Sequence, residues 1–346
     1  MPTVCPMKII LSRTDRLGDV VLALPVAKAL KERLPGCRVI FLGRRYTRPV
    51  VEACGNVDQV LCWDDMEPLS PRGRAEALGS TAADAMVHVF PNPAIARAAK
   101  DARIPIRIGS GRRPAHWLTC NRLSWFSRRR SDLHEAQLNF KLLSALGVVS
   151  VPSLEEVGRS FGLTRLPALP VRFEDYVAQD RFNVLLHPGS AGDAPEWPEK
   201  HYKSLIGLLL ARRCNVILTG GEAEAARFRE LAASSPGAVD LMGKTSLSEL
   251  IALIGAAQGF VSASTGPAHV AAALGKKVVP LFSPRPPVHP GRWAPLGPGV
   301  SIVTAERSCS ECAVKGGRCS CMATISPERV CREIEGAVPD RGTAPL

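Results

Sequence analysis

Short apolar runs recur along the chain, each followed by a polar or glycine-bearing loop and then by a segment with apolar residues at helical spacing. The runs at 8–12, 37–42, 57–62 and 85–89 predict strands. Segments 20–34, 94–102 and 135–146 predict helices, the first stopped by Pro35-Gly36 and the last by Gly147. Residues 148–180 mix Pro, Gly, Ser and charge without a long periodic run, which predicts a linker. The pattern then restarts, with strands at 183–187, 215–219, 259–262 and 278–282 and helices at 199–213, 222–233, 246–256 and 268–274. Strands alternating with helices imply parallel α/β sheets, whose ligands sit beyond the strand C-termini. The expectation is two Rossmann-like parallel-sheet lobes, residues 1–165 and 166–325, facing a central cleft, with a C-terminal helix and tail in 326–346.

The stretch GFVSASTGPAHVAAALG at 259–275 reads as strand, tight turn, helix. Pro267 suits the start of the helix and Ser264 or Thr265 can cap it. Such a junction aims unpaired N–H groups and a positive dipole end outward, an arrangement suited to phosphate. Ordinary strand–helix packing explains the same residues. After strand 183–187 comes HPGSAG, whose small residues allow backbone approach to a phosphate, and after 215–219 comes Thr219-Gly220-Gly221, with Glu222 and Glu224 opening a helix. Those acids can cap the helix, or one can accept a ribose hydroxyl. Three such strand-end loops in one lobe point to a nucleotide. In the first lobe, Asp19 lies where the polar loop after strand 8–12 meets a helix. It is either a helix cap or the general base for an acceptor hydroxyl. A helix N-terminus is expected to lower its pKa.

Charge changes the picture only for the first half. Residues 1–170 hold 25 Lys/Arg against 15 Asp/Glu, and residues 171–346 hold 19 against 17. Between Arg97 and Arg130 stand ten basic side chains, one acid (Asp101), and the aromatics Trp117, Trp125 and Phe126. Basic residues interleaved with aromatics suit nucleic acid, an anionic membrane surface or a phosphorylated glycolipid, and also a plain solvated face. Lys8, Arg13, Asp15 and Arg16 interrupt any signal-peptide core, and no run reaches the ~18–20 apolar residues of a membrane span. A cytoplasmic location follows as an expectation, with the eleven cysteines mostly thiols or ligands. Cys309, Cys312, Cys319 and Cys321 pass a loose zinc filter, but their compact spacing favours reduced loop thiols. No G-x-G-x-x-G follows the first strand, which disfavours a nicotinamide dehydrogenase.

Taken together, GDVVLALP at 18–25, HPGSAG followed by Trp197-Pro198, TGGEAE at 219–224, GKTSLSEL at 243–250 and STGPAHVAAALG at 264–275 resemble glycosyltransferase family 9, the lipopolysaccharide heptosyltransferases. The resemblance spans nearly the whole chain. It implies a GT-B fold, an N-terminal acceptor lobe, a C-terminal sugar-nucleotide lobe, and inverting transfer with neither metal nor cofactor, in keeping with the lack of an Asp-x-Asp triplet. Carried over, Asp19 falls on the catalytic base, with Arg13, Thr14 and Gly18 at the acceptor. Ser190 and Ala191 fall on the phosphate loop, Glu224 on a nucleoside-binding acid, and Thr245 near the nucleoside. Ser264, Thr265, Gly266 and His269 border the diphosphate. The implied partners are a nucleotide-sugar donor such as ADP-heptose and an anionic glycolipid acceptor at the inner face of the cytoplasmic membrane, with the protein peripheral there and no nucleic acid bound. Two positions depart from the pattern: Pro195 stands where a diphosphate-binding Lys is expected, and Ser264 where better-known members have Asp. Lys200 and Lys244 are the nearby candidates for the missing cation. Another nucleotide sugar, or a catalytically silent binder, therefore stays open beside ADP-heptose.

Overall fold

The computed structural model describes residues 6–190, 192, 194–285, 289–309 and 319–336, so Ala191 and Cys312 lie outside the described residues. The chain divides into two compact units, Met1–Leu166 and Pro167–Leu346. Each is built on one six-stranded parallel sheet. In the first unit β1 (Lys8–Ser12), β2 (Arg38–Gly43), β3 (Gln59–Cys62), β4 (Ala85–His88), β5 (Ile106–Ser110) and β6 (Arg122–Ser124) run in the order β3-β2-β1-β4-β5-β6. In the second, β7 (Asn183–His187), β8 (Asn215–Leu218), β9 (Val239–Asp240), β10 (Gly259–Ala263), β11 (Lys277–Phe282) and β12 (Val303–Thr304) run β12-β11-β10-β7-β8-β9. Read from the opposite edge, the second order is the first one repeated, the doubly wound Rossmann arrangement. These are the two parallel α/β sheets of the expected GT-B class.

The inner strands are apolar on both faces because helices cover both. Ile9, Ile10 and Leu11 of β1 are fully buried, as are all five residues of β7 and of β10. In each sheet the chain reverses its winding between two central strands, β1 and β4 in one and β7 and β10 in the other. Ser12 pairs with His88 at the C-terminal end of the first such pair, and His187 pairs with Ser262 at that end of the second. Ligands in open α/β sheets bind at these switch points, outside the strand C-termini.

Several elements differ from the sequence-based expectation, each for a local reason. The helix expected at 20–34 is two, Leu17–Val21 and Leu24–Arg33, because Pro25 sits in the first turn of the second and has no N–H to continue a ladder. Segment 135–146 is α-helical over Glu135–Phe140 and then tightens to 3₁₀ over Lys141–Leu146, ending at Gly147 with φ +80°. β5 and β6 fall inside the basic Arg97–Arg130 stretch, where charge conceals strands of five and three residues. The expected linker is partly structured: Ser153 and Glu156 form a reciprocal capping box on Leu154–Gly158. Beyond it, Gly55 N–H donates to Gly162 O at 2.8 Å, which ties residues 159–166 to the first unit. In the second unit the helix Pro327–Glu335 packs Val330, Cys331 and Ile334 into the core with Leu205 and Leu209. Among the described residues no helix is long and apolar enough to cross a membrane.

Candidate functional site

Asp19 occupies the first turn of Leu17–Val21, directly after β1 at the switch point of the first sheet. It is not a lone cap. Arg13, itself buried, donates through Nη2 to Asp19 Oδ1, through Nε to Asp15 Oδ1 at 2.7 Å, and through Nη1 to Glu135 Oε1 at 3.3 Å. Arg128 closes the group from the other side. It pairs with Glu135 and donates to Asn139 Oδ1 at 3.1 Å and to Val89 O at 3.3 Å, just past β4. Asn139 in turn donates to Leu22 O at 3.1 Å, which locks the helix Glu135–Phe140 against the start of the chain.

The charges in this group do not balance. Among the contacts of the described residues, two guanidinium groups face three carboxylates, so one carboxylate carries a charge in surplus. Asp15 and Asp19 share it: burial pushes the Asp19 pKa up to about 6, against the pull of Arg13 and with the help of Asp15 and Glu135, and burial raises Asp15 as well. The helix-lowered pKa expected from sequence is therefore overturned, because desolvation outweighs one short helix end. Of the other residues named with Asp19, Thr14 is buried, and its hydroxyl has no hydrogen-bond partner among the described residues. Gly18 is half-buried in the same turn as Asp19.

Beside this group, past the ends of β4 and β5, lies a cavity of about 280 Å³ lined by Arg112, Arg113, Arg128, Arg129, His88 and His116 among others. Among the described residues no carboxylate lines it. His88 is fully buried, neither ring nitrogen has a partner among the described residues, and burial drives its pKa down to about 3. A neutral imidazole facing several guanidinium groups suits an anionic guest. The basic stretch is thus not one uniform surface: Arg128 turns inward to Glu135, while Trp117, Leu118 and Trp125 face solvent. A larger groove of about 620 Å³ runs beside Leu24–Arg33 but is lined by none of the Asp19 group.

In the second unit the strand-end loops converge at the C-terminal edge of β7, β8 and β10. His187 Nδ1 meets Thr219 Oγ1 at 3.1 Å, and its Nε2 lies 3.7 Å from Glu224 Oε2. Burial holds His187 below its usual range, so it joins the two loops as a neutral ring. Glu224 accepts from Gly221 N–H at 2.7 Å, capping its own helix, and lies over Gly189, where a Cβ would collide with the carboxylate. Ser190 N–H and Oγ both point to Glu196 Oε1 at 2.9 Å, and Arg227 pairs with the same carboxylate. A carboxylate therefore occupies the donors of the Ser190 loop, which the sequence reading expects to bind phosphate. Lys244, a candidate for the missing cation, donates to Asp240 O at 2.7 Å, and Lys200 is exposed. Thr245 is half-buried just before the capping Ser246. A cavity of about 610 Å³ beside it is lined by Glu222, Asp240, Met242 and Gly243.

At the β10 junction, Thr265 holds the N-cap position of Gly266–Ala273 without capping it. Its hydroxyl pairs with Ser262 Oγ at 3.0 Å, so the N-cap side chain leaves the first N–H groups of this helix unbonded. Gly266 opens the helix with Pro267 second, Ser264 is half-buried, and His269 is buried one turn in. The structure thus gathers Ser190, Glu224, Ser264, Thr265, Gly266 and His269 along one sheet edge, with Asp19, Arg13, Thr14 and Gly18 in the other unit.

Two Rossmann-like parallel sheets, one carrying a half-buried carboxylate at its switch point and the other a glycine-rich strand–helix edge, define a GT-B glycosyltransferase. The chain belongs to glycosyltransferase family 9 (heptosyltransferase), whose model matches residues 103–323. It is similar to lipopolysaccharide heptosyltransferase 1 of Escherichia coli strain K12, at 22% identity over 299 residues, 81% of this chain and 89% of that protein. Two solved structures share the fold. E. coli ADP-heptose lipopolysaccharide heptosyltransferase II superposes with TM-score 0.75 at 21% identity, covering 96% of this chain and 98% of that one. A family 9 glycosyltransferase from Veillonella parvula superposes with TM-score 0.78 at 19% identity, covering 96% and 97%.

Asp15, Glu135, Asn139 and Arg128 escape a reading by motif because they come from three separated segments. One signal was present: Glu135 and Asn139, spaced i, i+4, break the apolar face of the 135–146 pattern with two polar residues, and both are buried. Glu196 and His187 carry no comparable mark.

Proposed function

We propose that the protein transfers a heptosyl group from ADP-heptose to an anionic glycolipid of the lipopolysaccharide inner-core type, with inversion and without a catalytic metal. The observation that carries this reading is Asp19, a half-buried carboxylate with its pKa raised to about 6 at the first sheet's switch point. A base at that pKa is ionised at neutral pH yet basic enough to take a hydroxyl proton in the transition state. The acceptor oxygen attacks the anomeric carbon as Asp19 accepts its proton, and the bond from that carbon to the diphosphate oxygen breaks. Arg13 fixes the Asp19 carboxylate, and Thr14 and Gly18 flank the acceptor. The arginine-lined cavity with His88 receives an acidic group of the acceptor.

On the donor side, Ser190, Ala191, Thr265 and Gly266 take the diphosphate, with Ser264 and His269 beside it, while Glu224 and Thr245 take the nucleoside. The uncapped helix start supports the first role, since its N–H groups and dipole stabilise departing negative charge. Phosphate displaces Glu196 from Ser190, and Arg227, already paired with Glu196, retains that carboxylate. The name of the similar E. coli protein specifies ADP-heptose, which supports that donor here. A cytoplasmic protein peripheral to the inner membrane fits the exposed Trp117 and Trp125 amid basic residues.

A second reading, a different nucleotide sugar, draws on Pro195 and Ser264. One panel separates the two. ADP-heptose, UDP-hexoses and UDP-N-acetylhexosamines are each incubated with a de-acylated inner-core acceptor, with and without added Mg²⁺, and the glycosylated product is detected by mass. Transfer from ADP-heptose alone, unaffected by Mg²⁺, is expected. Transfer from another donor overturns the heptose assignment, and nucleotide binding with no transfer from any donor overturns the enzyme mechanism.

A further inference from the structure

We propose that Cys309, Cys319 and Cys321 hold a zinc ion that clamps the segment before the last helix onto the second sheet. The sulfurs of all three lie within 4.8 Å of one another, Cys309 to Cys319 at 3.2 Å and Cys319 to Cys321 at 2.8 Å. A tetrahedral zinc with Zn–S bonds of ~2.3 Å holds its sulfurs ~3.8 Å apart, so a small outward shift of the three side chains makes room for the ion.

The surroundings distinguish this cluster from loop thiols. Cys319 and Cys321 are buried in the second core with Met322, Ile325 and Trp197, and Cys309 packs against that core. Trp197 Nε1 donates to Ile325 O at 2.9 Å, fixing the far end of the same segment. Ser283, the residue after β11, lies 3.7 Å from Cys321 Sγ, so the sulfurs stand beside the C-terminal end of a central strand. No carboxylate or imidazole joins the described ligand group, and an all-sulfur set selects zinc over magnesium or calcium. A cation there neutralises thiolates that burial would otherwise keep protonated. The physical role is a clasp that ties Cys319 and Cys321, shortly before Pro327–Glu335, to Cys309, shortly after β12.

The test is elemental analysis of the full chain, purified under reducing conditions without added metal. About one zinc per chain is expected, from the stoichiometry of a single thiolate site. Cys319→Ser and Cys321→Ser should each abolish most of it and lower the melting temperature, whereas Cys331→Ser, a buried thiol outside the cluster, should keep it. Should the first two variants not fold, cobalt exchanged into the wild type should give the thiolate-to-metal charge-transfer absorption of a multi-sulfur site. Metal-free protein with these thiols reduced, a disulfide among them, stoichiometric iron in place of zinc, or zinc retained in both cluster variants would each overturn the proposal.

Discussion

Replacing Glu135 by Gln removes one of the three carboxylates around Arg13 and Arg128 while keeping an oxygen that can still accept from both. The charge surplus disappears, so Asp19 should ionise more readily and its pKa should fall from about 6. The size follows from Coulomb's law: two carboxylates bridged by one guanidinium lie ~6 Å apart, and at an effective dielectric of ~20–40 they repel by about 1.5–3 kcal/mol. That corresponds to a shift of about 1–2 pKa units. The sign is fixed by the mechanism. Loss of a negative neighbour favours the ionised base, so the acid limb of the pH–kcat/KM profile moves to lower pH. The assay is product formation from saturating acceptor across pH 4.5–8.5, with folding checked at each pH by circular dichroism. A limb that stays near 6 in Glu135→Gln would show that Asp19 does not set it, or that the three acids do not share one electrostatic group.

Three further outcomes follow from particular contacts. Asp19 ionises near 3.8 unfolded and about 6 folded, so the fold favours its neutral form; that advantage is full below pH 4 and is lost as pH rises through 6. The permanently neutral Asp19→Asn should therefore be more stable than the wild type at pH 7.5, by about 1–3 kcal/mol in urea, with the gain vanishing near pH 4; equal stability at both pH values refutes the burial argument. Gly189→Ala drives the Glu224 carboxylate off the Gly221 N–H, which should cost about 0.5–2 kcal/mol as a lost cap and weaken nucleotide binding about tenfold by calorimetry; undiminished nucleotide affinity removes Glu224 from the donor site. Arg130→Ala should weaken sedimentation with anionic vesicles at low salt and leave transfer to a soluble acceptor intact, because Arg130 is exposed and lies outside the arginine-lined cavity, whereas Arg128 turns inward to Glu135; unchanged vesicle binding assigns Arg130 to a solvated face.

Most of the fold was legible because its signal is local. β1, β7 and the edges of β10 and β11 are continuous apolar runs, and Gly147, Pro35-Gly36 and Ser246 mark helix ends within a few residues of where they fall. β5 and β6 were hidden by the arginines around them, and β9 and β12, at two residues each, are too short for any periodicity to register. Asp19 could be placed after β1 from its motif, but its environment could not. Burial there reverses the direction expected for its pKa, against the pull of Arg13 and with the help of Asp15 and of Glu135, the last more than a hundred residues away. Likewise the spacing of Cys309, Cys319 and Cys321 gives no distance, whereas the fold closes them to one point.

The central claim is that Asp19 takes the acceptor proton, and the most direct measurement is the turnover of Asp19→Asn alongside its donor affinity. The amide keeps the size of the side chain and an acceptor oxygen for Arg13 but cannot bind a proton as a base. Turnover should fall by about 10²–10⁴-fold, the worth of general base catalysis, while the dissociation constant for the nucleotide sugar stays within a factor of about two. Wild-type turnover in Asp19→Asn, measured with the same donor and acceptor, would contradict the mechanism outright.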